Sequence, residues 1–307
     1  MQPIFLFSLP RAGSTLLQRI LGAHPDIATA SEPWLLLPLL YSLKSEGVKA
    51  DYDHRLAATG IEDLCALLPR GAQDYREELR ELALRIYRKA ARREVRYFVD
   101  KTPRYHLIAA ELLTLFPDAK FVFLWRNPLA LLGSFIGYFG GGKWNLYGYR
   151  IDLFDGLGNL AKAYSLAKDH VHALRYEDLI TNRDATLEKL FAYLELPFDK
   201  QVCESFAQVE LEGRLGDAGG SKTYARISSE PLDKWKQALR NPLRKRWARR
   251  YVQWIGSERL GLMGYSLDAL LAELDSVPAS TAYLLSDIVR MCYGYMETRR
   301  GRVWQHG

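Results

Sequence analysis

Residues 9–15 read Leu-Pro-Arg-Ala-Gly-Ser-Thr, a set suited to holding an anion. The Arg11 guanidinium is a forked donor for phosphate oxygens. Ser14 and Thr15 add hydroxyls, and Gly13, after Ala12, lets the backbone approach a ligand closely. A helix beginning at Ser14 would turn unpaired amides and a partial positive charge toward that ligand. The segment is not a Walker A loop. That motif has a lysine directly before its hydroxyl residue and a glycine at its start, whereas here Gly13 precedes Ser14 and Leu9 stands near the place of the first glycine. A second candidate is Arg126-Asn127-Pro128 with Ser134 eight residues after the arginine. Two helical turns put that hydroxyl back beside the guanidinium, a clamp for one further phosphate. Each feature also has a plainer reading, as a capped strand–turn–helix and as a surface ion pair. Together they call for a ligand with two separated phosphate groups.

Such residues act in concert only if one scaffold gathers them. Short apolar runs at 3–8, 97–99, 120–125 and 171–174 have the length and flanks of buried parallel strands. Helical patterns fill the intervals at 14–21, 61–68, 75–93, 105–116, 129–138, 153–168 and 184–194, with terminal helices at 235–255 and 279–299. Strand–helix alternation of this kind predicts a single α/β domain, a central parallel sheet flanked by helices, with ligands at the carboxyl ends of the strands. Insertions around 32–74 and 139–152 and a helical extension at 263–307 are expected around an acceptor pocket. The run 34–43 reads as core or pocket wall. The aromatics Trp34, Tyr138, Phe139, Trp144, Tyr147 and Tyr149 suit an apolar or sugar-stacking wall, and equally ordinary core.

The 307 residues, 48% hydrophobic and 25% charged, suffice for a sizeable core. A net charge of +6 suits a polyanionic ligand but is too mild to indicate nucleic acid. The basic run 240–250 reads as a solvated helix face. Three scattered cysteines (Cys65, Cys203, Cys292) form no ligand spacing, so a reduced, cytoplasmic protein without structural zinc is expected. No apolar run reaches the length of a membrane span.

The blocks PRAGSTLL, VDKTP, WRNPLALLGS and LRYEDL, in that order over roughly residues 3–240, resemble the sulfotransferases that use PAPS (3′-phosphoadenosine 5′-phosphosulfate). The resemblance implies a P-loop-kinase-like fold and transfer of a sulfuryl group to an acceptor hydroxyl or amine. PAP (adenosine 3′,5′-bisphosphate) is released, and no metal is required. It places Arg11, Ala12, Gly13, Ser14 and Thr15 at the 5′-phosphosulfate, and Arg126 and Ser134 at the 3′-phosphate. Lys101 matches a lysine beside the bridging oxygen, and Glu32, 21 residues after Arg11, matches the catalytic base of tyrosylprotein sulfotransferases. Ser221, Lys222 and Tyr224 fall where the family closes over the nucleotide.

The chain departs from the cytosolic small-molecule branch. It has Arg11 in place of a lysine, Pro103 at the position of the base histidine, and no RKG ending. It is therefore closer to the branch with a carboxylate base. His106 is the alternative base, although a lone histidine on a helix is usually structural. Glu32 also reads as an acid favoured by a helix N-terminus. Tyr176-Glu177-Asp178 reads as structural. The acceptor class stays open between small molecule, carbohydrate, lipid and carrier-bound chain. Two rival functions are a P-loop kinase, which needs a strand-end acid for magnesium, and a non-catalytic anion-binding module.

Overall fold

A computed structural model describes residues 1–45, 53–212 and 229–299. Its sheet has five parallel strands: β1 (Gln2–Phe7), β2 (Ile27–Thr29), β3 (Tyr97–Asp100), β4 (Lys120–Trp125) and β5 (His172–Arg175). Their order across the sheet is β2-β3-β1-β4-β5. Register is tight at the centre, where Phe5 of β1 pairs with Asp100 on one side and Phe121 on the other.

The apolar strands divide their side chains by period two. Phe5, Phe7, Phe98, Phe123 and Trp125 face one core. Ile4, Leu6, Tyr97, Val99, Val122 and Leu124 face the other. Helix α1 (Ser14–Gly22) covers the second face through Leu16, Leu17, Ile20 and Leu21. On the first face lie α2 (Leu36–Tyr41), α3 (His54–Ala66), α4 (Ala72–Ala91), α5 (Ala109–Leu115), α6 (Pro128–Gly140) and α7 (Leu157–Ala167), most of which bury residues there. Helices α8 (Tyr176–Thr181), α9 (Arg183–Tyr193) and α10 (Lys200–Glu204) pack with α1. The expected α/β architecture is therefore present.

The structure departs from the sequence reading at several elements. Strand β2 is absent from the sequence reading, because three residues, Ile27-Ala28-Thr29, give no pattern of their own and are recruited by pairing with β3. The helix expected at 235–255 is two, α11 (Glu230–Ala238) and α12 (Pro242–Leu262). Pro242 forces Asn241 into extended backbone (ψ 130), and the Asn241 side chain then caps the new helix from outside. The terminal helix at 279–299 is α14 (Leu284–Arg299), and α13 (Leu267–Ser276) precedes it. Among the described residues no helix is long and apolar enough to cross a membrane.

Candidate functional site

Because all five strands run parallel, their carboxyl ends open on one edge, and the segments that carry most of the expected site residues follow them. Glu32 comes after β2, Lys101 after β3, Arg11 after β1, Arg126 after β4 and Tyr176 after β5. The strand order thus sets the order of the chemistry along that edge.

Three residues expected at the two ends of a nucleotide, Arg11, Arg126 and Ser134, are brought together. Arg126 Nη1 donates to the Arg11 carbonyl at 2.7 Å, and its Nη2 to the Pro231 carbonyl at 3.2 Å. Arg11, Arg126 and Ser134 line one cleft of about 690 Å³, with Tyr138, Tyr176, Trp235, Arg244 and Tyr283 around them. That volume is typical of a small-molecule site. Arg11, Arg126 and Ser134, on a wall that includes four aromatic rings, could hold a bisphosphorylated nucleoside. The Arg11 guanidinium stacks on Tyr138 at 3.8 Å, and that of Arg126 lies over Tyr176 at 4.5 Å.

Behind the cleft, Gly13 begins α1 with φ +95 and no side-chain cap, so nothing of its own side chain competes for the first amides. The glycine has a second reason to be there. An added Cβ would lie 2.4 Å from Tyr176 Cδ2. Gly13→Ala therefore meets both a left-handed backbone and the ring that carries Arg126. We expect it to destabilise the protein by about 2–4 kcal/mol and to weaken PAP binding, read by thermal denaturation and calorimetric titration. A variant as stable as wild type would show that Tyr176 is free to move.

The second group is an ion pair. Lys101 Nζ donates to Glu32 Oε1 at 2.7 Å, with side-chain exposures of 2% and 11%. Neither residue lines the cleft. Glu32 is not a helix-terminal acid, because α2 starts only at Leu36 and has no acid in its first turn. Its segment is held from beneath by Gln18 of α1, whose amide donates to Thr29 Oγ1 and to the carbonyls of Ala30 and Ser31. The Gly13 turn and the strand that delivers Glu32 are thereby joined through one helix. Trp34 Nε1 donates to Glu32 Oε2 at 3.2 Å.

Asp100, just before Lys101, is fully buried. Burial pushes its carboxyl up to about 6, against the hydroxyls of Tyr87, Tyr105 and Thr102 that bond to it.

His106 is placed differently. Its ring is closed from solvent and bonds Asp152 Oδ1 at 2.9 Å, while Arg104 bonds the same carboxylate. A Cβ on Gly156 would touch that ring at 2.9 Å. The imidazole is thus enclosed and paired, and it does not line the cleft. Ser221, Lys222 and Tyr224 lie outside the described residues.

Within the aromatic segment Trp144 is buried, Tyr147 and Tyr149 are half-buried, and Tyr138 and Phe139 are exposed. Tyr149 stacks on Phe139, Trp144 packs on Trp247, and Tyr147 meets Tyr293, leaving Tyr138 at the cleft. The basic run at 240–250 is not wholly a solvated face. Arg244 is buried and bonds Asp287 of α14 at 2.5 Å. No local signal marks that pair, whose members stand 43 residues apart. Tyr176 combines the expected structural role with a place in the cleft wall.

The sequence model of the sulfotransferase family matches residues 3–200, which include Arg11, Glu32, Lys101, Arg126 and Ser134. The chain belongs to the sulfotransferase family. Nodulation protein NoeE of Sinorhizobium fredii is 30% identical to this family member over 264 residues, which cover 76% of the chain and 60% of NoeE. A protein-tyrosine sulfotransferase of Drosophila melanogaster is 24% identical over 209 residues, covering 65% of the chain and 39% of the fly protein. The chain thus spans less than two thirds of either relative. The sulfotransferase domain from the curacin biosynthetic pathway shares the fold, with a TM-score of 0.55 at 24% identity over 82% of the chain and 96% of that domain. The corresponding domain of the Synechococcus PCC 7002 olefin synthase superposes with a TM-score of 0.53, again at 24% identity, over 76% of the chain and 87% of that domain.

Proposed function

We propose that this protein is a sulfotransferase that moves a sulfuryl group from PAPS to an acceptor hydroxyl or amine and releases PAP. The observation that supports the reading is the joint presence of Arg11, Arg126 and Ser134 on one cleft, with the Lys101–Glu32 pair on segments that follow β3 and β2 at the same edge of the sheet. Arg126 and Ser134 hold the 3′-phosphate. Arg11 and the α1 amides hold the 5′-phosphosulfate. The acceptor oxygen or nitrogen forms the new bond to sulfur as the bond from sulfur to the bridging oxygen breaks. Glu32 takes the acceptor's proton, and Lys101 meets the charge left on the bridging oxygen. Catalysis of this kind rests on positioning and charge stabilisation, and protein cations supply that charge without a metal.

The kinase reading is weaker on the same geometry. Asp100 does stand at the end of a strand beside β1, where a kinase needs an acid for magnesium. Here, however, both its oxygens accept buried hydroxyls.

Calorimetry should show PAP bound more tightly than ATP with magnesium, and radiolabelled PAPS should label a product in a metabolite extract. Arg126→Met keeps the stem and removes the charged donor. It should weaken PAP binding about 10- to 150-fold, the equivalent of about 1.5–3 kcal/mol for a charge-assisted hydrogen bond. Tighter binding of ATP, or no labelled product, would sink the proposal.

A further inference from the structure

Two short segments meet at the ion pair, and the bonds between them close a circuit. Lys101 Nζ donates to Glu32 Oε1 at 2.7 Å. The other Glu32 oxygen accepts from the Trp34 indole at 3.2 Å. The Trp34 backbone N–H donates to Thr102 Oγ1, also at 3.2 Å. Thr102 Oγ1 in turn donates its own proton to Asp100 Oδ1 at 2.9 Å. Residues 100–102 and 32–34 thus grip each other through two bonds, from Lys101 to Glu32 and from Trp34 to Thr102, and each is continued by a bond within one segment.

We propose that Asp100 is a positioning residue that fixes the direction of the Glu32 carboxylate through Thr102 and Trp34. A buried carboxylate only accepts. Its Oδ1 therefore draws the Thr102 hydroxyl proton inward and turns the hydroxyl's lone pairs toward the Trp34 N–H. Tyr105 repeats the device from the next turn of chain. Its hydroxyl donates to Asp100 Oδ2 at 2.9 Å and accepts from the Leu36 N–H at 3.0 Å. One carboxylate thereby orients two hydroxyls, and these hold the backbone at 34 and 36.

The backbone so held is strained. Trp34 has φ +52, a left-handed conformation that a bulky side chain rarely adopts. Such strain persists only where surrounding bonds over-determine it, and it clusters at functional sites. With Trp34 in this conformation, the side chain two residues after Glu32 turns back and holds its second oxygen. The first oxygen faces the Lys101 ammonium. The two oxygens are therefore distinguished before any substrate arrives.

The inference rests on Glu32 being the base, and the test separates the two claims. The rate is PAP released from saturating PAPS, with a metabolite extract as the acceptor pool. Thr102→Val is isosteric but lacks the hydroxyl. It should lower kcat about 10- to 100-fold, the scale of a small misplacement of a catalytic group, with the Kd for PAP unchanged. Thr102→Ser restores the hydroxyl and should restore the rate. Trp34→Phe removes one N–H from a half-buried side chain and should act in the same direction as Thr102→Val. Thr102→Val added to Glu32→Gln should cost nothing further, because the group it positions is already gone. If Thr102→Val is as active as wild type, slows Glu32→Gln as much as it slows wild type, or weakens PAP binding in step with kcat, the positioning role is refuted while the base survives. Wild-type activity in Glu32→Gln overturns both.

Discussion

Glu32→Gln should lower the rate of sulfuryl transfer about 100- to 10,000-fold, the usual contribution of a positioned general base, and leave PAP affinity within about twofold of wild type. Glutamine keeps the length and planarity of the side chain. Its carbonyl oxygen can still accept from Lys101 or from Trp34, which now bond the two oxygens separately. What disappears is the capacity to take a proton. The nucleotide grip lies on a cleft that Glu32 does not line, so binding and chemistry should separate in the two measurements. A fall in PAP affinity matching the fall in rate would mean that Glu32 holds the site together and does not act on the acceptor. His106, the alternative base, is enclosed against Asp152.

The second large effect concerns stability. Asp287→Ala should destabilise the fold by about 3–5 kcal/mol, because it leaves the Arg244 guanidinium buried without its carboxylate. Side-chain exposures of 3% and 0% put this pair in the interior. Asp287 accepts three hydrogen bonds at once, from Nε and Nη2 of the guanidinium and from the Asn241 side chain. The remaining Arg244 bonds run to the carbonyls of Ala238 and Gly142. A single ion pair thus ties α14 to the start of α12 and to the end of α6, and Arg244 and Tyr283 form part of the cleft wall. The thermal midpoint should drop by roughly 5–15 °C. The double replacement Arg244→Met with Asp287→Leu should recover most of it, since an apolar pair of similar volume needs no compensation. A loss of about 1 kcal/mol or less in the single variant, the level of an exposed pair, would show that the helix is not anchored there.

The two effects divide the molecule along its function. The core sheet delivers five strand ends to one edge, and the residues to which the proposal gives the chemistry leave those ends. The C-terminal helices contribute a wall, docked through apolar residues such as Trp235, Tyr251 and Ile255 and through one buried charge pair. Residues 3–200 carry the family match, and the Arg244–Asp287 pair lies beyond it, so this wall stands outside the part of the chain that defines the family.

Much of this was written locally. A six-residue apolar run with Arg-Ala-Gly-Ser-Thr close behind it specifies a strand, a turn and a helix N-terminus, because each depends on neighbours in sequence. The eight-residue interval from Arg126 to Ser134 was legible for the same reason: Pro128 opens a regular helix, and helix geometry does the rest. What tertiary structure decided is every relation between distant segments. The two-stage bonding of Asp100 to Thr102 and on to Trp34 appears only when β2 and β3 lie side by side, and β2 itself exists only through that pairing. Gly13 could be read as room for a ligand, but the ring of Tyr176 fills the space a Cβ would take. Arg244 looked like one more solvated cation in a basic run, and His106 like a candidate base. Burial changes the first reading and encloses the second side chain, since a side chain's chemistry depends on whether water or a fixed partner surrounds it, and that is settled by contacts between residues far apart in the chain.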